Sequence, residues 1–593
     1  MTVRLIKKPS VHLAESRIVF RKCLVVGLCF THRCLVEQGS PGSVALSAAW
    51  FVLLVELVVF LLTPSLQGHF EAWVCASCRT GTAGECKKLG FIPGHNLVGE
   101  GIDIVTLRRK GSYLVNTDKW KRSDGTCTIC ANPLLEGQLQ KLPLSVVDWR
   151  IQNTCKRHVS SSVIHSSFQV MESAASSVQN DWKVGLEIDV NPKASVKAVM
   201  AGSHSSLANF AGGKSKTDRY SFTSHEISCT YYRFRTKERP PLTQQFSSAL
   251  KGLPATYDKN TKAQYRQVVN TYGTHYLTQV HLGGKIRDVT AIKTCESSLD
   301  GSSVDEVKDC LNLEASGNVG GKGSVEAVVS ACEELKKRKN FKGSFHETYN
   351  ERETEVVGGH LSTDLLFSNG QDPGPFNAWI ESLKITPGIL SYSLQPIHQL
   401  IRRSPPQKEN LKLAIREYVL EKTFWKNCSN TCHSGAQPSK RDSCSCFCPG
   451  GQGVNSMCCS TSRGLAKMTV EILYATGLWG DYFTKTDAYV KLKFDSKEMR
   501  TSTVWNNDNP VWENHFDFGM VQLNDASALQ LEVWDEDNRY DDDRLGSCNK
   551  QLTSGAFQDI CYLNHGSLTF NYRLDCGPSL GGPTCRDYVP SPE

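Results

Sequence analysis

The chain has 593 residues, 40% hydrophobic and 21% charged, with 67 Lys and Arg against 60 Asp and Glu. That length is too great for one hydrophobic core and calls for roughly three or four domains, while the composition excludes a disordered polyelectrolyte. A net charge of +7 with no basic stripe makes no case for a nucleic-acid partner, and 24 cysteines point away from a reducing cytosol and toward export.

The first strong signal is the apolar run SVALSAAWFVLLVELVVFLL, from Ser43 to Leu62. It reads as the core of a signal peptide inside a leader covering 1–72; a membrane anchor fits its length but has to tolerate Glu56 at its centre. Two cysteine groups, CASCRTGTAGEC and Cys127 with Cys130, then open a large region, 73–426, of mixed helix and strand signals. In an exported chain the Cys127-x-x-Cys130 pair reads as structural disulfide chemistry rather than a redox centre. KAQYRQVVNTY predicts a helix over Lys262 to Tyr272, with Tyr265, Val268, Val269 and Tyr272 on one face and a stop at Gly273. Leu411 to Trp425 predicts another.

Two stretches of this region alternate with period two. Upstream, Val184, Leu186, Ile188 and Val190 are followed by Val196, Ala198, Met200 and Gly202. Downstream, LEASGNVGGKGSVEAVV (313–329) puts Leu313, Ala315, Gly317, Val319, Gly321, Gly323, Val325, Ala327 and Val329 on one parity. The other parity carries Glu314, Ser316, Asn318, Lys322, Ser324 and Glu326. A barrel strand between lipid and a wet lumen needs this pattern over roughly 9–11 residues, but a half-buried sheet shows it too. The flanking segments read as helices, with Val304, Val307 and Leu311 at helical spacing. The basic run Lys336 to Lys339 reads most simply as a solvated face.

Cys428 to Cys459 holds seven cysteines, a density at which crosslinks replace a core, and defines a small module over 427–463. Its Asn427-Cys428-Ser429 is a glycosylation sequon. From 464 to 576 short alternating runs follow one another: Met468, Val470 and Ile472; Ala488, Val490, Leu492 and Phe494; Leu529, Leu531 and Val533. They predict an antiparallel sandwich. Residues 577–593 form a terminal tail.

In that sandwich, EVWDEDNRYDDDRLG crowds acids onto one loop. Such a cluster stays ionised when it is solvated or when a cation sits among the carboxylates. Asp535, Asp537 and Asp543 follow the strand ending at Trp534, and Asp481 and Asp487 lie in GLWGDYFTKTDAYV, a loop leading into the next run. If both loops share one end of the sandwich, the oxygen-only shell they form suits Ca2+ better than magnesium. Trp479, Tyr482 and Tyr540 flank the acids; such rings favour a membrane interface once calcium cancels the neighbouring charge, or else pack internally.

The segments TDAYVKL and RTSTVWNNDNPVWENHFDF, together with these loops, resemble a C2 domain. That resemblance implies that Asp481, Asp487, Asp535, Asp537 and Asp543 are calcium ligands, with Asp542 an extra ligand for a second ion. YGTHYLTQVHLGGKI, which contains Tyr272, Gly273, Thr274, His275, Gly283 and Gly284, resembles the signature of the membrane attack complex/perforin family. ERETEVVGGH, ending in Gly358 and Gly359, resembles that family's glycine-marked bend. The resemblance implies a multidomain α+β chain: a MACPF/cholesterol-dependent-cytolysin-like bent antiparallel sheet with flanking helical clusters, an EGF-like module, and an all-β C2 sandwich.

It also implies a calcium-dependent, pore-forming cytolysin. Its C2 domain would bind a phospholipid membrane, copies of the chain would assemble into a homo-oligomeric ring, and about 195–224 and about 296–356 would refold into transmembrane β-hairpins. Passage of granzymes through the pore and storage in cytotoxic granules are implied on the same ground alone. Asn538 stands where the family commonly has an aromatic residue.

A secreted, calcium-dependent phospholipase is the enzymatic alternative. Its one supporting match, Gly577-Pro578-Ser579-Leu580-Gly581, begins one residue after Cys576 and lacks the strand–turn–helix setting of a nucleophile elbow. His275 has no partner in the sequence that implies catalysis. A non-lytic calcium-dependent tether would share the acidic site and have no use for the alternating segments.

Overall fold

The computed structural model describes residues 78–592 except 156, 189–195, 322–325, 361–364, 369–371, 429–431, 433–435, 439–445, 481 and 538–541. The leader and its apolar run therefore lie outside the described residues, as do Asp481 and Tyr540.

An eight-stranded antiparallel sheet organises the large region. Its strands are β1 (Glu100–Asp103), β2 (Arg108–Tyr113), β3 (Val146–Cys155), β4 (Ser160–Ile164), β5 (Tyr220–Thr236), β6 (His275–Lys293), β7 (Arg352–Val357) and β8 (Gly388–Pro396). β6 is the spine. Along one side it pairs with β5 over nearly its whole length; along the other its first half pairs with β8 and its second half with β7.

The glycines sit where β6 changes partner. A Cβ on Gly283 would lie 1.9 Å from the Cys229 carbonyl oxygen, and one on Gly284 would lie 2.5 Å from Leu383. Gly358, at φ +77°, would place a Cβ 2.3 Å from the Gly283 carbonyl oxygen and 2.6 Å from the Gly388 nitrogen. Three backbones meet there at a separation that no side chain allows. Trp379, from a helix over Gly374–Ser382, closes the junction by donating its indole N–H to the Gly358 carbonyl at 3.0 Å.

Helices cover both faces of the upper sheet. On one face, α1 (Ser167–Ala174) and α2 (Ser206–Ser215) bury Val170, Leu207 and Ala211 with Val289 and Ala291 of β6. The opposite parity of β6, Ile286 and Ile292, belongs to the main core, which also contains Val307, Leu311, Ala315, Cys332 and Leu335. These come from α4 (Val304–Asn318) and α5 (Glu326–Lys339), which the Cys310–Cys332 disulfide joins. Ser303 starts α4 with a capping box, taking the Glu306 N–H while the Glu306 carboxylate takes its own.

The predicted helix α3 occupies Lys262–Tyr272 as expected, ending at Gly273 with φ +82°. Beyond it the signature is a splice. The Thr274 hydroxyl accepts the Ile104 N–H at 2.9 Å, and fully buried His275 sits 3.0 Å from the Trp182 carbonyl through Nε2. Burial pushes its pKa down to about 4, so it is a neutral structural group.

The structure bears on four of the sequence readings. Leu313 to Val329 is not a strand here: its described residues belong to α4, a short turn and α5, because the same apolar residues also satisfy a helical stripe. In the Val184–Val190 stretch 182–186 form turns and Val190 lies outside the described residues; Val196–Val199 is a short strand paired with Phe424–Asn427. That pairing draws Phe424 onward out of the predicted second helix. The observed α6, Pro405–Lys422, begins earlier, with proline in its first turn, and stops sooner. Finally, Cys127 and Cys130 are structural disulfide cysteines as expected, though they are not bonded to each other. Three residues apart on one strand they are too far separated, and they bond Cys86 and Cys78 on neighbouring elements.

The cysteine module contains Cys432–Cys446 and Cys448–Cys458, and Cys459 ties it to Cys295 of the large region. Two four-stranded sheets follow. One runs Val511–Gln522, Leu465–Thr476, Ser567–Cys576, Gly555–Tyr562; the other runs Lys497–Arg500, β9 (Ala488–Phe494), β10 (Ala528–Asp535), β11 (Asp543–Gln551). The alternating residues of the sequence are its core: Met468, Val470, Ile472, Val490, Leu492, Leu529, Leu531 and Val533 are all buried. The tail is folded onto this unit by Cys576–Cys585, and the Tyr588 hydroxyl donates to buried Asp218 of the large region at 2.6 Å. Ser579 sits at φ +60° in a turn followed by a two-residue strand, not a helix, so no nucleophile elbow exists there.

Candidate calcium and membrane site

Register builds the acidic site. Ala488 of β9 is the partner of Asp535 of β10, and Asp535 is the partner of Asp543 of β11. Asp487, Asp535 and Asp543 therefore stand at one end of one sheet, which brings the two acidic loops together. The loops are also bonded to each other. The Asp487 N–H donates to Asp535 Oδ1 at 2.6 Å, and the Glu536 N–H donates to the Asp487 carbonyl at 2.8 Å.

Asp535 is only 2% exposed. Its Oδ2 lies 1.7 Å from where a Cβ on Gly480 would stand, so the backbone of the first loop closes over this carboxylate and leaves no space for a side chain. Burying a carboxylate is costly unless its oxygens are satisfied. Asp487 and Asp543 form no ion pair with Lys or Arg among the described residues.

Asp542 is turned to another use. It accepts the hydroxyl of buried Tyr489 at 2.8 Å, and burial together with that carboxylate raises the tyrosine's pKa above its ordinary range. Asp537 follows two residues beyond the end of β10, and Asp481 lies outside the described residues.

A third loop, overlooked in the sequence, completes the surround. The Asn506 N–H donates to Asp487 Oδ1 at 2.5 Å, and Asp508 accepts the Thr486 N–H and hydroxyl, each at 3.1 Å. Its turn chemistry, WNNDNP, is visible in the sequence; its proximity to Asp487 is not. Glu536 is neutralised by Arg500 at 3.0 Å. Among the described residues no group of three or more His, Cys, Asp or Glu has metal-holding geometry. The donor set is nevertheless all oxygen, carboxylate-rich and covered by a glycine-lined backbone, which suits a hard cation such as calcium.

Aromatic residues project beside these acids. Trp479 is 44% exposed, Tyr482 85% and Phe483 100%, all on the first loop. Trp479 packs edge to face on Tyr482 and on His565, each at 5.0 Å, which holds the indole in place while leaving its outer edge free. Trp505 of the third loop is 62% exposed. Phe483 and Trp505 were missed by the sequence reading, although Phe483 directly follows Tyr482. Phe483→Ala should leave the melting temperature unchanged, because the ring contacts only solvent. It should weaken calcium-dependent binding to phosphatidylcholine vesicles about tenfold, near the low end of what burying a phenyl ring is worth. Co-sedimentation checks this.

Within the two segments expected to refold, α2, α4 and α5 lie against the sheet as helices, while 196–199, 220–224 and 352–356 are already strands. α4 touches the strands below through buried Val307, Leu311 and Ala315, and its Lys308 carbonyl lies 3.1 Å from His225 Nε2 of β5. The segment before α2 is held at Ser203, whose hydroxyl donates to the Lys422 carbonyl at 3.2 Å. Asn427, the sequon residue, is exposed and is the partner of Val196 in the short ladder.

Comparison with known proteins assigns the three zones. Residues 92–426 match the MAC/Perforin domain, 427–461 the Perforin-1-like EGF domain, and 466–566 the C2 domain. The chain is 46% identical over 517 residues to Perforin-1 of Homo sapiens, covering 86% of this chain and 93% of that one. It is 44% identical over 521 residues to Perforin-1 of Rattus norvegicus, covering 87% of this chain and 94% of that one.

Proposed function

The chain belongs to the MAC/perforin family and is a membrane-binding, pore-forming cytolysin with no enzymatic role, and from that premise we propose that calcium is the trigger and β-hairpins are the pore. The observation that carries the calcium reading is the placing of Asp487, Asp535 and Asp543 at one end of one sheet, with Asp535 under the Gly480 backbone, next to exposed Trp479, Tyr482 and Phe483.

Asp487, Asp535 and Asp543 would hold the ion, with Asp481 and Asp537 from the same loops. A bound Ca2+ supplies positive charge and open coordination positions to a lipid phosphate. The protein does the rest. While the carboxylates are unneutralised, their field opposes entry of the loop into an anionic or zwitterionic headgroup layer. Once they are neutralised, the aromatic rings bury apolar surface at the interface and anchor the C2 domain.

On the anchored chain, about 195–224 and about 296–356 would leave the sheet and become hairpins. No described helix is long and apolar enough to cross a bilayer, and a strand-built crossing must close on itself, which a single chain's two hairpins cannot do. A ring of copies answers that requirement. Granzymes as passengers, storage in cytotoxic granules and release to the target membrane belong to this proposal; secretion and membrane targeting follow from the family. A non-lytic tether is not favoured, because it leaves the MAC/Perforin domain without a use.

Phosphatidylcholine vesicles loaded with a protein-sized dye test the reading. Release is expected at neutral pH with calcium and no release with chelator. Binding without release would overturn the pore, and release unaffected by chelator would overturn the calcium trigger.

A further inference from the structure

We infer that the Cys310–Cys332 disulfide sets the register of the second hairpin: the two cysteines face each other across its strands, its apex is centred on Gly321, and the bond lines the pore lumen. The inference rests on the hairpin reading above and adds to it which residues pair, which face lipid and why the refolding segment carries a crosslink.

The bond joins α4 to α5, inside the segment that has to refold. A covalent link there either blocks the transition or survives it. It can survive because Cys310 and Cys332 lie equally far from Gly321, so in an antiparallel hairpin with Gly321 at the centre of its turn they stand directly opposite each other. Every other pairing is then determined. Leu311 faces Ala331, Leu313 faces Val329 and Ala315 faces Ala327; on the other parity Asn312 faces Ser330 and Ser316 faces Glu326.

Hydropathy, which played no part in choosing that register, agrees with it. One face collects Leu, Ala and Val from both strands, and the other collects Asn, Ser and Glu together with the disulfide, Val328 opposite Glu314 being its one large apolar side chain. Any register offset by one residue would put apolar positions of one strand beside polar positions of the other. The apolar positions run from Leu311 to Val319 and on the return strand as far as Ala331, close to the roughly 9–11 residues a tilted strand needs to span a bilayer.

The helical state uses the same residues. Val307, Leu311, Ala315 and Val319 are buried against the sheet, at 0, 1, 0 and 0% exposure. They are spaced by four. Four residues is close to a full helical turn and is an even number, so one set forms both a helical stripe and one face of a strand. Refolding therefore moves Leu311, Ala315 and Val319 from the sheet to lipid with no polar residue between them on that face, whereas Val307 shares its face with Asp309 beyond the disulfide, and the crosslink forbids a slip in register while it happens.

Crosslinking in the full chain tests this. Ser316→Cys with Glu326→Cys, inserted into phosphatidylcholine vesicles with calcium and then oxidised, is expected to give a 316–326 disulfide in peptide mass spectrometry. Ser316→Cys with Val328→Cys should give at least tenfold less. The native Cys310–Cys332 peptide should persist in the assembled pores. In Cys310→Ser with Cys332→Ser the 316–326 preference should fall, even where vesicle binding is retained. Dye release accompanied by a dominant 316–328 product, or an unchanged 316–326 preference without the native bond, would overturn the register proposal and leave the pore intact. Absence of dye release from the wild-type chain would overturn the hairpin reading and this inference with it.

Discussion

Asp535→Asn is expected to abolish calcium-dependent vesicle binding over the concentration range where the wild-type chain binds. The substitution keeps the oxygen that accepts the Asp487 N–H at 2.6 Å, so the bond between the two loops survives. It removes the charge at the one acid that is buried and roofed by Gly480. A loss on the order of 100-fold in calcium affinity is expected, about 2.7 kcal/mol. Asp487→Asn should be nearly as severe, whereas Asp542→Asn should cost far less, because that carboxylate is engaged by Tyr489. Titration of calcium against vesicle co-sedimentation separates the three. Undiminished binding by Asp535→Asn would remove this cluster as the calcium receptor.

The second large effect is a separation of binding from lysis. A disulfide engineered between α4 and β5, at facing positions chosen for a Cβ separation of roughly 4 Å, is expected to leave calcium-dependent binding unchanged and to suppress dye release by more than tenfold until reductant is added. The physical reason is where α4 is attached. It contacts the sheet through one apolar stripe and the Lys308 carbonyl near His225, contacts that must all be broken before the segment can extend. A single covalent bond makes that impossible without disturbing the C2 domain. Release by the oxidised, locked chain would show that pores form without this segment.

Much of the fold was legible beforehand because its signals are local. The period-two runs of 464–576 became the buried faces of two sheets, and the helix over Lys262–Tyr272 stopped at its glycine as expected. The failures share one cause. Leu313 to Val329 alternates as a strand does, yet its residues spaced by four also make a helical stripe, and local periodicity cannot rank two structures that both satisfy it. Phe424 and Trp425 are similar: helical by pattern, they became part of a strand because Val196–Val199 offered a ladder.

The candidate site divides in the same way. The sequence by itself determined which groups were available: acids in two loops, aromatic residues beside them, glycines at the bend, cysteines flanking a small turn. Which of those groups act together was decided only by the tertiary structure. Register across β9, β10 and β11 lined up Asp487, Asp535 and Asp543 and turned Asp542 toward Tyr489. Folding brought Asn506 and Asp508 of a third loop to the same end and left Phe483 wholly in solvent. It also paired Cys310 with Cys332 out of many possible partners. Residue type sets what chemistry a group can perform and is written locally, whereas convergence depends on strand pairing between residues tens of positions apart, which no local pattern encodes.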